Sequence, residues 1–309
     1  MISEHFRTGY VSIIGRPNVG KSTLVNALMG QKIASVSPKA QTTRRRQLGI
    51  LSTDEYQVVF LDTPGIHAPH HKLGEYLNQE AEKAMKGVDL ILWIVDAEVG
   101  PTSEETAIAA TLASIKKCPP VFLVLNKIDK VQHGELQDRF ALYSELRPTA
   151  RQFAISALGS VGLQEMLVEV VAKLPEGEPE YDPEVITDFY ERDIAADLIR
   201  EACLLHLRSE VPHGVNVRID EYTERGDVGA LIHATIFVER ESQKGILIGE
   251  GGAMLKRIGI TARKQIEDMS GRKVFLELKA KVEKDWRDNE MVLSRFGYKI
   301  EGKKKTAKR

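Results

Sequence analysis

Eight residues near the start of the chain have the composition of a phosphate-binding loop. They lie between an apolar run, 10–14, and an amphipathic segment, 23–29. This order predicts a strand, a loop and a helix. The backbone N–H groups of such a loop and the positive end of its helix bind anions. The loop residues are Gly15, Arg16, Pro17, Asn18, Val19, Gly20, Lys21 and Ser22.

Residues further along supply what a bound triphosphate and its metal ion need. We expect Lys21 to contact the β- and γ-phosphate oxygens and Ser22 to hold Mg²⁺ through its hydroxyl. Asp62 follows the apolar run 58–61, where a second group for the same ion belongs. The N–H of Gly65 can approach the γ-phosphate because glycine has no side chain. The same segment contains Thr63, Pro64 and Ile66.

A polar segment after the apolar run 121–125 predicts selection of guanine over adenine. It lies at the carboxyl end of a predicted strand, where such sheets bind ligands. Asp129 can accept hydrogen bonds from N1 and N2 of guanine, whereas adenine would leave this carboxylate unpaired. We expect Asn126 to brace the loop and the base, and the stem of Lys127 to lie over the ring. The full set is Asn126, Lys127, Ile128 and Asp129, with Ser156 and Ala157 offering a further backbone N–H to the guanine oxygen.

These motifs, in this order, resemble those of the translation-factor-related GTPases and, within them, the Era family. The order includes Gln41-Thr42-Thr43-Arg44 between the phosphate loop and Asp62, and the resemblance covers nearly the whole chain. It implies conversion of GTP to GDP and phosphate, with Lys21, Thr43 and Gly65 as catalytic residues. Thr43, or else Thr42, would close on Mg²⁺ in the GTP state. We interpret Arg44, Arg45 and Arg46 as a solvated charge run.

Ile66 occupies the position where many small GTPases carry a glutamine that orients the attacking water. Isoleucine cannot orient water. Catalysis would therefore depend on another group, or mainly on Mg²⁺, Lys21 and backbone N–H groups, and intrinsic turnover should be slow. Asn18 matches the asparagine with which related GTPases help to bind potassium, so K⁺ joins GTP, GDP and Mg²⁺ among the implied cofactors.

The composition is that of an intracellular protein of about two domains. The chain has 309 residues, of which 42% are hydrophobic and 28% charged. Cys118 and Cys203 suggest no disulfide framework. The segment through Tyr10 has no apolar signal core, and the longest apolar runs are too short to cross a bilayer. We expect a monomer in the cytoplasm, and the resemblance adds peripheral association with the inner face of the cell membrane.

Alternating strand and helix patterns predict an α/β first domain, a mainly parallel sheet with helices on both faces. The acidic, breaker-rich stretch Pro175–Glu180 is typical of a linker, so we place the domains at 1–180 and 181–309. Counting Lys and Arg against Asp and Glu, residues 181–250 carry a charge of −8 and residues 251–309 carry +9. The basic end is where nucleic acid is expected.

The second domain has the element order of a small α+β fold. The predicted elements are a helix at 189–207, strands at 215–222 and 231–238 around a turn at Arg225-Gly226-Asp227, a helix ending near Met269 and a strand at 274–282. The loop Gly249-Glu250-Gly251-Gly252 precedes the last helix. This order resembles a KH domain of the prokaryotic type, whose Gly-x-x-Gly loop clamps about four nucleotides.

The helix after the glycine loop has two different faces. Leu255, Ile258, Ala262, Ile266 and Met269 fall on one arc, while Lys256, Arg257, Arg263 and Lys264 fall on the opposite side. One face can pack and the other can meet phosphate. We expect Ile246, Ile248 and Ile260 to line an apolar groove for single-stranded bases. The predicted RNA-binding residues are Lys244, Gly249, Glu250, Gly251, Gly252, Lys256 and Arg257.

Taken alone, a glycine turn and a cationic helix face are more typical of ordinary soluble structure, and the adjoining GTPase domain is what favours the KH interpretation. Trp286 is either a core anchor, which we favour, or a stacking platform. The tail Lys303–Arg309 is expected to be disordered and to add nonspecific RNA affinity.

The resemblance implies a GTPase that binds the 3′ region of 16S small-subunit ribosomal RNA through its KH domain. It would act on the 30S subunit in small-subunit assembly and rRNA maturation. Two alternatives stay open: an RNA-binding chaperone whose nucleotide pocket is structural, and a GTPase partner of an RNA-modifying enzyme.

Overall fold

The computed structural model describes residues 5–37, 39, 42–149, 151–226 and 229–299. Gln41, Asp227 and the tail Lys303–Arg309 lie outside them. The first domain contains a sheet of order β2-β3-β1-β4-β5-β6, in which β2 is antiparallel to β3 and the other neighbours are parallel. The strands are β1 (Arg7–Ile14), β2 (Gln47–Ser52), β3 (Tyr56–Asp62), β4 (Leu90–Asp96), β5 (Val121–Asn126) and β6 (Arg151–Ala154).

Helices cover both faces of this sheet, as the alternating pattern predicted. Apolar side chains of α1 and α5 pack on one face, and those of α2, α3 and α4 pack on the other. The central strand β4 is buried along its whole length because both faces are covered. The helices are α1 (Lys21–Met29), α2 (Lys72–Ala84), α3 (Ser103–Ser114), α4 (Leu136–Leu146) and α5 (Leu163–Val171).

The chain between the two domains is hydrogen-bonded to the first sheet at two places. The N–H of Gly177 donates to the oxygen of Phe6 at 3.0 Å. Further on, the N–H of Ile50 in β2 donates to the oxygen of Ile186 at 2.8 Å. This stretch is therefore hydrogen-bonded to the start of β1 and to the edge strand β2 and is not a free tether.

The second domain packs helices on one side of a three-stranded sheet of order β7-β8-β9. Strand β8 is antiparallel to β7, which has an irregularity between Ile219 and Glu221, and parallel to β9. The elements are α6 (Glu191–His206), β7 (Asn216–Glu224), β8 (Ala230–Val238), α7 (Glu241–Ile248), α8 (Ala253–Ser270), β9 (Val274–Val282) and α9 (Glu290–Arg295).

An apolar cluster joins α2 of the first domain to the end of the second domain. We call it the docking cluster, and its members are Leu73, Tyr76, Leu77, Phe237, Trp286, Val292, Leu293, Phe296 and Tyr298. Tyr76 meets Tyr298 edge to face, with ring centroids 5.3 Å apart. The N–H of Leu73 donates to the oxygen of Arg287 at 2.9 Å. The two domains are therefore packed against each other through α2.

Among the described residues, no helix combines the length and the apolar character that crossing a bilayer requires.

Candidate nucleotide site and RNA-binding face

The phosphate-binding loop connects β1 to α1, in the predicted strand-loop-helix context. Gly20 precedes α1 with φ 98°, and a Cβ there would lie 2.3 Å from the side-chain nitrogen of Asn126. A Cβ on Gly65 would lie 2.6 Å from the nitrogen of Pro17. Both positions require glycine because the polypeptide segments approach so closely. Val19 is fully buried beneath the loop, and Asn18, at its tip, has φ 64°.

The three predicted magnesium ligands lie within hydrogen-bonding distance of one another. The Ser22 Oγ donates to Asp62 Oδ2 at 2.8 Å, the Thr43 Oγ1 donates to the same oxygen at 3.0 Å, and the two hydroxyls are 2.8 Å apart. Asp62 Oδ1 is buried and has no hydrogen-bond partner in the described part of the chain. Burial raises the pKa of Asp62, partly offset by the Ser22 hydroxyl.

These oxygens fit a magnesium ion. Hydroxyl and carboxylate oxygens are the ligands that Mg²⁺ prefers, together with substrate phosphates and water. A buried carboxylate with an unused oxygen also favours a cation, because an uncompensated buried charge is costly. Ser22, Thr43 and Asp62 would hold the ion. When bound, Mg²⁺ would supply positive charge to the β- and γ-phosphates.

Lys21 is buried against the phosphate loop. Its Nζ donates to the oxygen of Arg16 at 2.9 Å and to that of Gly15 at 3.1 Å. Burial lowers the pKa of Lys21 to about 8. The amino group therefore lies where phosphate oxygens would replace these carbonyl acceptors. Its pKa should rise again beside a polyanion.

The described residues of the loop between α1 and β2, which we call the switch loop, lie beside the phosphate site. Residues 35–37 and Thr42 and Thr43 of this loop line a cavity of about 50 Å³ together with the phosphate loop, Thr63 and Gly65. Such a volume is far below the roughly 300 Å³ or more of ordinary ligand pockets. This cavity is the phosphate end of the site alone, because none of the residues 126–129 lines it.

The predicted guanine-binding residues come together at the carboxyl ends of β5 and β6. Asn126 Nδ2 donates to the oxygen of Val19 at 2.8 Å, and its Oδ1 accepts from the N–H of Ala157 at 2.9 Å. This side chain therefore ties the phosphate loop to the Ser156-Ala157 segment, as expected of a brace. In this arrangement the Ala157 N–H is engaged by Asn126.

Asp129 is held in place by its neighbour Ser156, whose hydroxyl donates to Asp129 Oδ1 at 2.5 Å. Lys127 adopts a left-handed backbone conformation, φ 68°, and its Nζ lies 2.6 Å from Asp96 Oδ2. The N–H of Ile128 donates to the oxygen of Ile155 at 3.2 Å. The loop is thus fixed at three points before any base is bound.

An ion-pair network behind the phosphate loop was missed at the level of sequence. Arg16 lies 2.7 Å from Glu105 and 3.6 Å from Asp96, which also pairs with Lys127. Both carboxylates are buried. One signal was present: Asp96 ends an apolar strand just as Asp62 does. The network connects the phosphate loop with the guanine loop, because Asp96 contacts residues of both.

Ile66 is buried and packs in the core formed with Ile14 and Trp93. It therefore cannot reach a water molecule at the γ-phosphate. Thr63 Oγ1 donates to the oxygen of Ile13 at 2.7 Å, and Pro64 follows it in the turn that leads to Gly65.

The interpretation of Arg44, Arg45 and Arg46 as a solvated run is wrong for Arg44. Arg44 is only 2% exposed. Its guanidinium donates to the backbone oxygens of Val215 at 2.7 Å and His213 at 3.2 Å and lies 5.5 Å from the centre of the Trp286 ring. Arg45 donates to the oxygen of Phe296 at 2.7 Å. Only Arg46 of the three makes no such contact among the described residues, and it is exposed.

Known proteins match both halves of the chain. A family model described as a 50S ribosome-binding GTPase matches residues 10–127, and a KH domain model matches residues 210–287. GTPase Era of Heliobacterium modesticaldum is 47% identical over 96% of this chain and 98% of that relative. The chain belongs to the Era family of GTPases. GTPase Era of Ruminiclostridium cellulolyticum is 46% identical over 95% of this chain and 98% of its own length.

Solved Era structures have the same arrangement of both domains. Era in complex with MgGDPNP and nucleotides 1506–1542 of 16S ribosomal RNA superposes with a TM-score of 0.90, at 38% identity, over 96% of this chain and 100% of that one. A variant of Aquifex aeolicus Era bound to GDP·AlF4⁻ gives 0.89, also at 38% identity, over 95% and 100%. The predicted family and the predicted pair of folds are confirmed.

The Era-type glycine loop lies between α7 and α8. Gly249, Gly251 and Gly252 have φ values of 72°, 56° and 83°. A Cβ on Gly251 would meet nothing within 4 Å, so the loop is open on that side, whereas one on Gly249 would lie 2.8 Å from the Cβ of Met254. Glu250 is exposed, and Lys244 is half-buried beside Glu241.

The predicted division of α8 into two faces is confirmed. Ile258, Ala262 and Ile266 are buried, and Leu255 and Met269 are half-buried. The opposite face is exposed and carries Lys256, Arg257, Arg263 and Lys264.

Strand β9 forms the second wall of the expected groove. A cavity of about 480 Å³ is lined by Leu255, Lys256 and Ile260 of α8 and by Leu276 and Leu278 of β9. Ile246 is exposed and Ile248 half-buried, but neither lines this cavity. The contribution of β9 was not predictable from α8 alone, because the two elements meet only in the folded domain.

Trp286 is a core residue, as favoured above. It is fully buried in the docking cluster, and its Nε1 donates to the oxygen of Gly214 at 2.9 Å. It is therefore not available to stack on a base.

Proposed function

We propose that this protein binds and hydrolyses GTP, grips the 3′ region of 16S ribosomal RNA through its KH domain, and acts on the 30S subunit in small-subunit assembly and rRNA maturation. The observation that carries this proposal is the direct bonding of the switch loop to the KH domain. Thr43 meets Ser22 and Asp62, while the adjacent Arg44 donates to carbonyls of the KH domain. The switch loop therefore contacts both the metal and phosphate site and the KH domain.

In the hydrolysis step, water attacks the γ-phosphorus and the bond to the β-phosphate oxygen breaks. Lys21 and the N–H groups of the phosphate loop stabilise the charge on the departing GDP, and the N–H of Gly65 stabilises the γ-phosphoryl oxygens. Thr43, Ser22 and Asp62 hold the metal ion. Because Ile66 is buried, the side chain at this position does not orient the attacking water. Turnover of GTP without RNA or a partner is therefore slow.

Release of phosphate loosens the switch loop, because Thr43 loses the contact that the γ-phosphate provides. Arg44 and Arg45 follow Thr43 directly in the chain, so their bonds to the KH domain weaken with it. The helix α2 follows Gly65 by seven residues and carries three of the nine residues of the docking cluster. Nucleotide state therefore acts on the position of the KH domain through two segments at once.

The same proposal places the protein in the cytoplasm as a monomer, with peripheral association at the inner membrane face as a second location. The proposal also includes a potassium ion that binds with the help of Asn18. Sedimentation of the purified protein and fractionation of cells test the first points, and turnover in K⁺ against Na⁺ tests the last.

The main experiment combines turnover with RNA binding. GTP hydrolysis is measured with and without an RNA of the 16S 3′ region, for the wild type, Lys21→Ala and Gly251→Asp. We expect Lys21→Ala to abolish turnover and keep RNA binding. Gly251→Asp should keep basal turnover and weaken RNA binding at least ~10-fold, because a charge enters the open side of the loop that approaches phosphate.

Cellular crosslinking then identifies the RNA, again with Gly251→Asp as the control. Reads at the 3′ end of 16S RNA that disappear in the variant support the assembly role. Reads spread over other RNAs contradict it while leaving the GTPase intact.

A second candidate is an RNA-binding chaperone with a structural nucleotide pocket. The burial of Ile66 favours it, because this position offers no catalytic side chain. Turnover that never exceeds that of Lys21→Ala, in either cation and with or without RNA, would establish this alternative.

A further inference from the structure

A cavity of about 240 Å³ lies between the two domains, away from the nucleotide site and the RNA groove. Its walls come from the switch loop, α6, β7 and the end of the KH domain. The wall carries an unusual number of guanidinium groups, and these belong to Arg44, Arg45, Arg192, Arg200, Arg218 and Arg295.

The cavity wall has a surplus of positive charge. Its two carboxylates are already engaged, since Asp193 lies 3.8 Å from Arg45 and Asp197 lies 2.9 Å from Arg200. Within the described residues, no carboxylate lies within 4 Å of Arg44 or Arg192. Arg192 donates to the oxygen of Ile219 at 2.9 Å, and Arg44 donates to two backbone oxygens.

Arg44 is the strongest sign that an anion is expected here. It is buried, its Nε has no hydrogen-bond partner in the described part of the chain, and its guanidinium donates to the neutral backbone oxygens of Val215 and His213. Burial lowers the pKa of Arg44 to about 10. A buried guanidinium without a counter-charge is costly, whereas a guanidinium beside phosphate makes strong, often paired hydrogen bonds.

We propose that this cavity is a binding site for a small phosphate-bearing anion of the size of inorganic phosphate or pyrophosphate. The anion would add the missing negative charge and link the switch loop to α6 and β7. A strand of RNA in the groove does not supply it, because the cavity lies at the β7 edge of the sheet and the groove at the β9 edge, about 10 Å away across β8. The volume also favours a small anion over a nucleoside polyphosphate.

Occupancy of the site has a consequence for the switch loop. Arg44 follows Thr43, so an anion that holds Arg44 also favours the inward position of Thr43. The anion and the nucleotide should therefore influence each other's affinity by the same factor, as linked ligands must.

The test uses calorimetric titration of pyrophosphate into full-length protein saturated with GDP in a buffer without free Mg²⁺, so that the phosphate loop is filled and no metal complexes the titrant. We expect one equivalent of pyrophosphate to bind the wild type. Arg192→Gln should bind at least ~10-fold more weakly, because it removes a charge-assisted contact and keeps a polar side chain. Arg151→Gln is the matched control, because Arg151 pairs with Glu169 on the surface of the first domain and does not line the cavity.

Thermal unfolding checks that Arg192→Gln is folded, and Arg218→Gln provides a second variant if it is not. Arg218 lines the same cavity and lies 2.7 Å from Asp220. Weaker binding by either folded variant, with wild-type binding by Arg151→Gln, supports the site. The proposal is overturned if GDP-loaded wild type binds no pyrophosphate, or if both cavity variants bind it as the wild type does.

Discussion

Replacement of Arg44 by alanine should loosen the KH domain from the switch loop. The substitution removes two hydrogen bonds, to the oxygens of Val215 and His213, and the contact with the Trp286 ring. Hydrogen bonds from a charged donor contribute about 1.5–3 kcal/mol each. A desolvated cation–π contact adds about 2 kcal/mol.

Part of this stabilisation is offset, because the wild type keeps a guanidinium out of water at a cost of several kcal/mol. We therefore expect a net loss of about 3 kcal/mol, which is the difference between the lost contacts and the relieved cost of burying the charge. In a protein of this size such a loss lowers the thermal midpoint by about 5–10 °C.

The assay is differential scanning calorimetry, supported by limited proteolysis of the switch loop. Arg46→Ala is the matched control, since Arg46 belongs to the same arginine run and is exposed. Arg44→Ala should lower the midpoint or separate the domains into two transitions, and it should accelerate cleavage near residues 42–46. A midpoint and cleavage rate equal to those of Arg46→Ala would refute the docking role of Arg44.

Three further perturbations test other parts of the structure. Asp129→Asn should weaken GDP binding by at least ~100-fold in a fluorescent-nucleotide titration, because two charge-assisted hydrogen bonds to guanine are lost. RNA affinity should not change. Retained selectivity for guanine would contradict the assigned base contact. Trp286→Ala should lower the free energy of unfolding by about 3–5 kcal/mol, as for other buried tryptophans, and a loss below about 1 kcal/mol in urea titration would show that the docking cluster stabilises little. Burial and nearby positive charges, including Arg44, lower the pKa of His213, so the unfolded chain binds a proton near pH 6.5 where the folded protein does not. Stability should therefore fall as the pH drops below about 6.5 through the lower folded pKa, and His213→Gln should make the curve of unfolding free energy against pH flatter in this window; parallel curves would refute the assignment.

The sequence by itself determined the parts of the protein that depend on short segments. The phosphate loop, the guanine loop and the Gly-x-x-Gly loop each follow a strand or join two helices, so their residue types and local pattern define them. The buried face of α8 was predictable because helical periodicity places Ile258, Ala262 and Ile266 together. The meeting of Ser22 with Asp62 was also expected, because Asp62 follows an apolar run at the place where a second group for the same ion belongs.

Tertiary structure decided where charge could be buried. Arg44, Arg45 and Arg46 are alike in sequence, yet only Arg44 lies beneath the KH domain, because its carbonyl acceptors come from residues about 170 positions away. The same holds for Arg16, which contacts Glu105 on α3, and for the wall that β9 adds to the cavity beside α8. A local sequence pattern indicates the secondary structure that a segment prefers and which of its faces is apolar. It does not record which distant backbone oxygens or carboxylates will lie beside it, since that depends on how the two domains pack.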